Sequence, residues 1–273
     1  MFKKYYRVCF NFFLFWILKI IDKILLRTNI KILPPLGKKR DFKYDFSKKT
    51  RRLVFRKDEN RFGKIIFDSS LNESYLCELG KKFNTNKSGI NLKGHRSGYT
   101  NFYNLILHHL KDRNCSIAEI GIEKNASTKM WRKYFKNATI DCFEIDKKKI
   151  LFAKKHKLRG VKYHLIDVSN KVLINSQFQK TKRKFDLIID DSTHLFNHQI
   201  NIIFNTYRYL KKGGILIIED IYRYRRGYEE QKYYNYLQKI KKNFSDIVFV
   251  ETSHINNYTA SWDCEKILLL IKK

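Results

Sequence analysis

The strongest constraint in this sequence is a pattern in which short apolar runs alternate with helical stretches from residue 116 onward. Five runs predict strands: SIAEIGI (116–122), TIDCFEI (139–145), VKYHLI (161–166), FDLIID (185–190) and GILIIED (214–220). Each of the first four precedes a stretch with helical potential, and two later runs, 246–251 and 264–271, predict the last strands. Alternating strands and helices are typical of a parallel sheet, and uninterrupted apolar runs suit strands buried on both faces. The pattern predicts an α/β, Rossmann-like fold with a mostly parallel seven-stranded sheet and helices on both faces.

Acidic side chains stand at or just beyond the carboxyl-terminal part of each of the first five predicted strands. They are, in chain order, Glu119, Glu144 and Asp146, Asp167, Asp190 and Asp191, and Glu219 and Asp220. The carboxyl ends of parallel strands face a common crevice, where ligands of open α/β sheets bind. Like charges repel there unless a cation or a donor-rich ligand intervenes. The sequence therefore predicts a ligand site at this edge of the sheet.

One part of this collection suits a nucleoside. Glu144 ends the second strand 23 residues after Gly121, an arrangement in which a carboxylate binds the two hydroxyls of a ribose. Where a dinucleotide site has GxGxxG, this chain has GIEKNAS with a single glycine, so a turn that holds a pyrophosphate is not supported. A nucleoside without a diphosphate fits better, and S-adenosylmethionine is the common one.

A second part suits a metal. Asp191, Glu219 and Asp220 follow adjacent strands, and three converging carboxylates form an oxygen-rich site suited to Mg²⁺. His194, three residues after Asp191, could take a proton from a hydroxyl bound to that metal. In the alternative interpretation, His194 caps the following helix and the carboxylates are helix caps or crevice-surface residues.

Several short motifs between about residues 84 and 222 carry a family resemblance. They are Thr85-Asn86-Lys87, His95 with Tyr99, EIG, Ala126-Ser127 with Met130-Trp131, Tyr134 to Ala138, IIDDxxH with His198-Gln199, and LKxGGxxxIED. In combination they resemble class I S-adenosylmethionine-dependent methyltransferases of the magnesium-dependent macrolide-sugar type, such as the mycinamicin and tylosin sugar O-methyltransferases.

The resemblance implies transfer of a methyl group from S-adenosylmethionine to a sugar hydroxyl of a glycan, glycolipid or glycosylated metabolite. It implies that Asp191, Glu219 and Asp220 bind Mg²⁺ and that His194 is the general base. The cofactor would be lined by Glu119, Gly121, Ser127, Glu144 and Asp167, with Thr85 and Lys87 in the loop that closes over it. Relatives of this kind often assemble, so a homo-oligomer is one of the alternatives.

The first 70 residues are the most basic part of the chain. They hold 19 Lys and Arg against 6 Asp and Glu. Read as a helix, residues 1–35 combine apolar faces with a narrow basic stripe, which predicts an N-terminal helical extension on an anionic membrane surface. Docking of that helix on the protein's own core or on a partner subunit is the alternative. Residues 36–70 are expected to form a basic linker, and residues 71–273 the methyltransferase domain.

Charge and cysteine content bear on partners and location. The net charge of +31 would attract polyanions, so the alternative function is an RNA methyltransferase or a basic nucleic-acid-binding protein. The lysine excess also fits an A/T-rich coding sequence, and the acidic motifs favour a sugar acceptor over nucleic acid. The five cysteines form no CxxC pair, which indicates a reducing compartment. We therefore expect a cytoplasmic protein, peripheral on the inner membrane face.

Overall fold

The computed structural model describes residues 62–93, 95–223, 225–257 and 266–273, together with Ile17 and the backbone of Leu53–Arg56. Apart from Ile17, which is helical, the membrane helix predicted for residues 1–35 lies outside the described residues. Among the residues that are described, no helix combines the length and the apolar character needed to cross a membrane.

The described strands form one mixed sheet. They are β1 (Leu53–Arg56), β2 (Gly63–Asp68), β3 (Ser116–Ile120), β4 (Thr139–Glu144), β5 (Val161–Leu165), β6 (Phe185–Asp190), β7 (Leu210–Ile221), β8 (Phe244–Ser253) and β9 (Lys266–Lys272). Their order is β1-β2-β8-β9-β7-β6-β3-β4-β5. Strand β9 is antiparallel to both of its neighbours and β1 is antiparallel to β2, whereas the other pairs are parallel. The predicted α/β class and all seven predicted strands, β3 to β9, are confirmed.

Strands β1 and β2 correct the expected extent of the linker. Both lie within the range 36–70, and β2 pairs in parallel with β8 along its whole length. Ile65 and Phe67 alternate along β2 and pack against the core on one face. On β2, Lys64 pairs with Glu251 of β8 at 2.8 Å. The basic residues of this range therefore do not exclude a strand, because the charge of Lys64 on β2 is neutralised by Glu251 on the neighbouring strand.

Helices cover both faces of the sheet. They are α1 (Tyr75–Lys82), α2 (Tyr99–Leu107), α3 (Ala126–Tyr134), α4 (Lys147–Lys154), α5 (Lys171–Lys180), α6 (Phe196–Thr206) and α7 (Glu230–Leu237). Along β6, Leu187 and Ile189 join the buried cluster of α1 to α4, whereas Ile188 joins the cluster of α5 to α7. Burial of each such side chain contributes about 1.5–3 kcal/mol. Because successive residues point to opposite faces, a strand covered on both sides must be apolar throughout.

The carboxyl ends of β3, β4 and β6 meet tightly at one edge. Gly121 N–H donates to Phe143 O at 2.8 Å, and Asp191 N–H donates to Ile120 O at 2.8 Å. Gly121 has φ +85°, and a Cβ added there would lie 2.2 Å from Asp191 O. We call this close contact between the backbones of residues 121 and 191 the Gly121 crossing. Only glycine fits here, because the backbone is left-handed and there is no room for a side chain. The crossing sets the position of Asp191 relative to β3.

Candidate active site

A cavity of about 880 Å³ lies at this edge of the sheet. Many of the residues predicted from the sequence line it: Thr85, Gly121, Ser127, Glu144, Asp167, Asp191 and His194. They come from the loop before α2, from the first turn of α3 and from the ends of β3, β4, β5 and β6. The fold therefore brings together side chains that are up to about 110 residues apart in the sequence.

Glu144 is fixed on the cavity wall by the backbone. Its Oε2 accepts from Ile122 N–H at 3.2 Å, and its Oε1 accepts from Ile145 N–H at 2.9 Å and Asp146 N–H at 3.2 Å. An ionised carboxylate offers about four acceptor positions. The backbone thus holds the buried Glu144 in one orientation and leaves capacity for a hydroxyl donor from a ligand.

Asp167 is a second acidic residue of the cavity. Its Oδ1 accepts from the N–H and the hydroxyl of Ser169 at 2.9 and 2.7 Å. These two donors lower the pKa of Asp167 below its usual value. Asp167 is therefore an ionised acceptor on the wall next to Glu144.

Glu119 departs from its expected role. It is fully buried and does not line the cavity. Its carboxylate accepts from Thr128 Oγ1 at 2.6 Å and Trp131 Nε1 at 3.0 Å. Glu119 therefore ties α3 to β3, because the strand directs its side chain to the helix-covered face instead of to the strand end.

Asp191, His194 and Asp220 converge at one point. One ligand atom from each lies within 4.8 Å of the others, and His194 Nε2 lies 3.6 Å from Asp220 Oδ2. His194 and Asp220 have φ values of +58° and +54°. A non-glycine residue in this region costs on the order of 1–3 kcal/mol, and such residues cluster at functional sites. The fold thus accepts local strain in order to bring these two side chains together.

Glu219, the third predicted metal ligand, is satisfied by protein donors. Its Oε1 accepts from Tyr103 OH at 2.8 Å and its Oε2 from Lys87 Nζ. Lys87 Nζ also lies 2.6 Å from Asp191 Oδ2. Burial acts to lower the pKa of Lys87, but the neighbouring carboxylates outweigh it, so the pKa is raised and the ammonium stays charged. Lys87 was expected in a loop over the cofactor. It instead lies buried against the carboxylates of Asp191 and Glu219, which together with Asp220 we call the acidic cluster.

The sequence motifs assign no chemical function to two tyrosines that contact this cluster. Tyr99 OH donates to Asp220 Oδ1 at 2.7 Å, as Tyr103 OH does to Glu219. Their spacing of four residues on α2 places both side chains on one helix face. The spacing of four residues was the only sequence feature that could have indicated a shared role for these two tyrosines. The same spacing is also typical of tyrosines that simply belong to a hydrophobic core.

The side chains present fit a hard divalent cation. Carboxylate oxygens are the ligands that Mg²⁺ prefers, and imidazole also binds divalent metals. His95 lines the same cavity, and within the described part of the chain no hydrogen-bond partner reaches its buried Nε2. Burial lowers the pKa of His95 even though Asp220 and Asp191 act to raise it. A neutral imidazole nitrogen without a protein partner, beside convergent carboxylates, is a position that a bound group can complete.

Comparison with known proteins supports the resemblance seen in the motifs. The chain is 28% identical over 132 residues to 8-demethyl-8-(2-methoxy-alpha-L-rhamnosyl)-tetracenomycin-C 3'-O-methyltransferase of Streptomyces olivaceus, covering 44% of this chain and 32% of that protein. It is 27% identical over 131 residues to L-olivosyl-oleandolide 3-O-methyltransferase of Streptomyces antibioticus, covering 45% and 32%. The matched segment is thus about a third of the length of these curated relatives. No family model matches the chain.

Among solved structures, the chain is similar to MycE, a methyltransferase from the mycinamycin biosynthetic pathway in complex with Mg and SAH. The sequence identity is 21%, the TM-score is 0.47, and the match covers 55% of this chain and 38% of that one. The resemblance to macrolide-sugar O-methyltransferases that the motifs predict is confirmed by the two sequence relatives.

Proposed function

We propose that this protein transfers a methyl group from S-adenosylmethionine to a hydroxyl of a sugar-bearing acceptor, with Mg²⁺ bound at the acidic cluster. The observation that carries this proposal is the meeting of Asp191, His194 and Asp220 at a cavity whose wall also holds Glu144. The names of the two sequence relatives, which describe O-methylation of glycosylated compounds, support it.

The cofactor residues of this proposal lie at strand ends, at the start of α3 and in the loop before α2. Glu144, held by three backbone N–H groups, would accept a ribose hydroxyl at its remaining acceptor position. Asp167 and Ser127 would line the rest of the nucleoside, and Thr85 would contribute from the loop before α2. The bound cofactor supplies an electrophilic methyl group.

Asp191 and Asp220, with Glu219 beside them, would hold the cation. A bound divalent ion makes a neighbouring hydroxyl more acidic and stabilises developing negative charge. The protein contributes by fixing the carboxylates, because Tyr99 holds Asp220 and Lys87 holds Asp191.

His194 would accept the proton of the acceptor hydroxyl at Nε2. A neutral imidazole is suited to this step because its ordinary pKa is near neutrality. Asp220 Oδ2, 3.6 Å from Nε2, would stabilise the imidazolium that forms. The acceptor oxygen would then take the methyl group as the bond between that methyl group and the sulfur of the cofactor breaks; S-adenosylhomocysteine would leave, and the proton would stay on His194.

The test is incubation with labelled S-adenosylmethionine, Mg²⁺ and separate panels of nucleotide sugars, lipid-linked glycans, glycosylated metabolites and RNA. We expect label in a sugar product, its loss in His194→Ala, and normal activity in His109→Ala, a control at an exposed histidine that precedes β3. Cofactor binding should persist in His194→Ala. Transfer to RNA with none to any sugar acceptor would refute the proposed acceptor class, and retained turnover in His194→Ala would refute the proposed base.

A further inference from the structure

Lys87 is a fully enclosed cation in the acidic cluster. Its side chain is 1% exposed, and its Nζ contacts one carboxylate oxygen each of Asp191 and Glu219. Asp191 follows β6 and Glu219 lies near the end of the neighbouring strand β7, so the ammonium bridges the carboxyl ends of two strands. Burial of an unpaired ammonium or carboxylate is costly. Each of the three groups is therefore tolerated because of the other two.

The ammonium of Lys87 contacts two of the three carboxylates of the cluster, those of Asp191 and Glu219, and the third belongs to Asp220. Burial raises the pKa of Glu219 well above its usual value, and Lys87 acts to lower it. Without Lys87, three carboxylates from two adjacent strand ends would face one another without an internal counter-charge, and like charges at this distance repel strongly.

The backbone around Lys87 is also fixed. Lys87 O accepts from Thr100 N–H at 3.2 Å, in the first turn of α2. The next residue, Ser88, donates from its hydroxyl to Cys77 O of α1 at 2.9 Å. Lys87 thus belongs to a segment that is anchored to both α1 and α2. Thr85, two residues earlier, lines the cavity.

We propose that Lys87 is a positioning residue that serves as a built-in counter-cation, holding Asp191 and Glu219 together and reducing the charge that a divalent ion must neutralise. The part of this inference that concerns the divalent ion rests on the proposed function, whereas the part that concerns the three side chains does not. The role differs from contact with the cofactor, which the sequence motifs imply for this lysine.

The first experiment needs no metal. Melting temperatures are measured in EDTA for the wild type, Lys87→Met, Glu219→Gln and the double variant. Lys87→Met leaves buried negative charge uncompensated and should lower the melting temperature by about 10 °C. The double variant should recover at least half of that loss, because the amide that replaces the Glu219 carboxylate carries no charge. An unchanged melting temperature in Lys87→Met, or a double variant no more stable than Lys87→Met, would overturn the proposal.

The second experiment measures Mn²⁺ binding by equilibrium dialysis on the same proteins. Removal of a positive charge from the site should tighten Mn²⁺ binding in Lys87→Met by about tenfold, and the double variant should return toward the wild-type affinity. Equal or weaker binding in folded Lys87→Met would overturn the counter-cation role. If the wild type binds no Mn²⁺, the metal in the proposed function fails, while the melting temperatures in EDTA still decide the role of Lys87.

Discussion

The Gly121 crossing gives a sharp test of how the site is built. In Gly121→Ala the new Cβ would lie 2.2 Å from Asp191 O, on a backbone with φ +85°. The left-handed conformation costs on the order of 1–2 kcal/mol for alanine. Relief of the contact with backbone adds about 1–3 kcal/mol. We therefore expect the free energy of unfolding to fall by about 2–5 kcal/mol.

Gly213→Ala is the matched control. Gly213 has φ +73°, but a Cβ there meets nothing within 4 Å, so this variant should show only the conformational cost. Urea denaturation measures both variants, and the difference between them is the contribution of the crossing. Gly121→Ala should also weaken Mn²⁺ binding, because Asp191 must move. Equal destabilisation of the two variants, with unchanged Mn²⁺ binding, would refute the idea that this crossing positions Asp191.

Three further expectations concern the cofactor, acid stability and the membrane. Glu144→Gln should weaken binding of S-adenosylhomocysteine by about ten- to a hundredfold in calorimetry, since one hydrogen bond to a charged group is worth roughly 1.5–3 kcal/mol, whereas Glu78→Gln on the exposed side of α1 should not. Burial acts to raise the pKa of Glu251, but surrounding Arg and Lys side chains outweigh it and lower the pKa to about 2 from 4.5. The resulting stability, on the order of 3 kcal/mol, should be fully present above pH 4.5 and be lost as the pH falls toward 2, and Glu251→Gln should remove this loss in acid denaturation. The full chain should sediment with vesicles that contain anionic lipid and not with neutral ones, as the basic apolar sequence of residues 1–35 predicts; equal sedimentation with both would argue against an electrostatic contribution.

The site residues at the strand ends could be predicted, because the end of a strand can be recognised from the residues of that strand alone. The run FDLIID is recognisable without any other part of the chain, and parallel pairing then places Asp191 beside Gly121, which follows β3, and beside the last residues of β7. Glu119 was misplaced because alternation along β3, and not its closeness to the strand end, decides where its side chain points. The spacing of strands thus predicts which loops meet, and side-chain direction needs the packed helices.

The position of the Lys87 side chain in the acidic cluster could not be predicted from the pattern of strands. This lysine precedes α2 in a segment with no periodicity, and it is separated from Asp191 by 104 residues and from Glu219 by 132. The motif Thr85-Asn86-Lys87 drew attention to this lysine among 57 Lys and Arg residues, but nothing local indicated that its side chain is buried between Asp191 and Glu219. Strand β2 was missed for a related reason, because Lys64 interrupts its apolar pattern and the acidic partners of this lysine, Glu230 and Glu251, lie on α7 and β8.

The net charge of +31 and the acidic site act over different distances. At physiological ionic strength, solvent-exposed charges more than about 8 Å away are largely screened. Buried groups in direct contact interact much more strongly, because less solvent lies between them. The field at Asp191 and Asp220 is therefore governed by Lys87, Glu219, His95 and His194, and only weakly by the lysines of the surface. The proposed binding of a cation in this cavity therefore rests on the residues of the cavity itself, and the positive net charge of the whole chain does not argue against it.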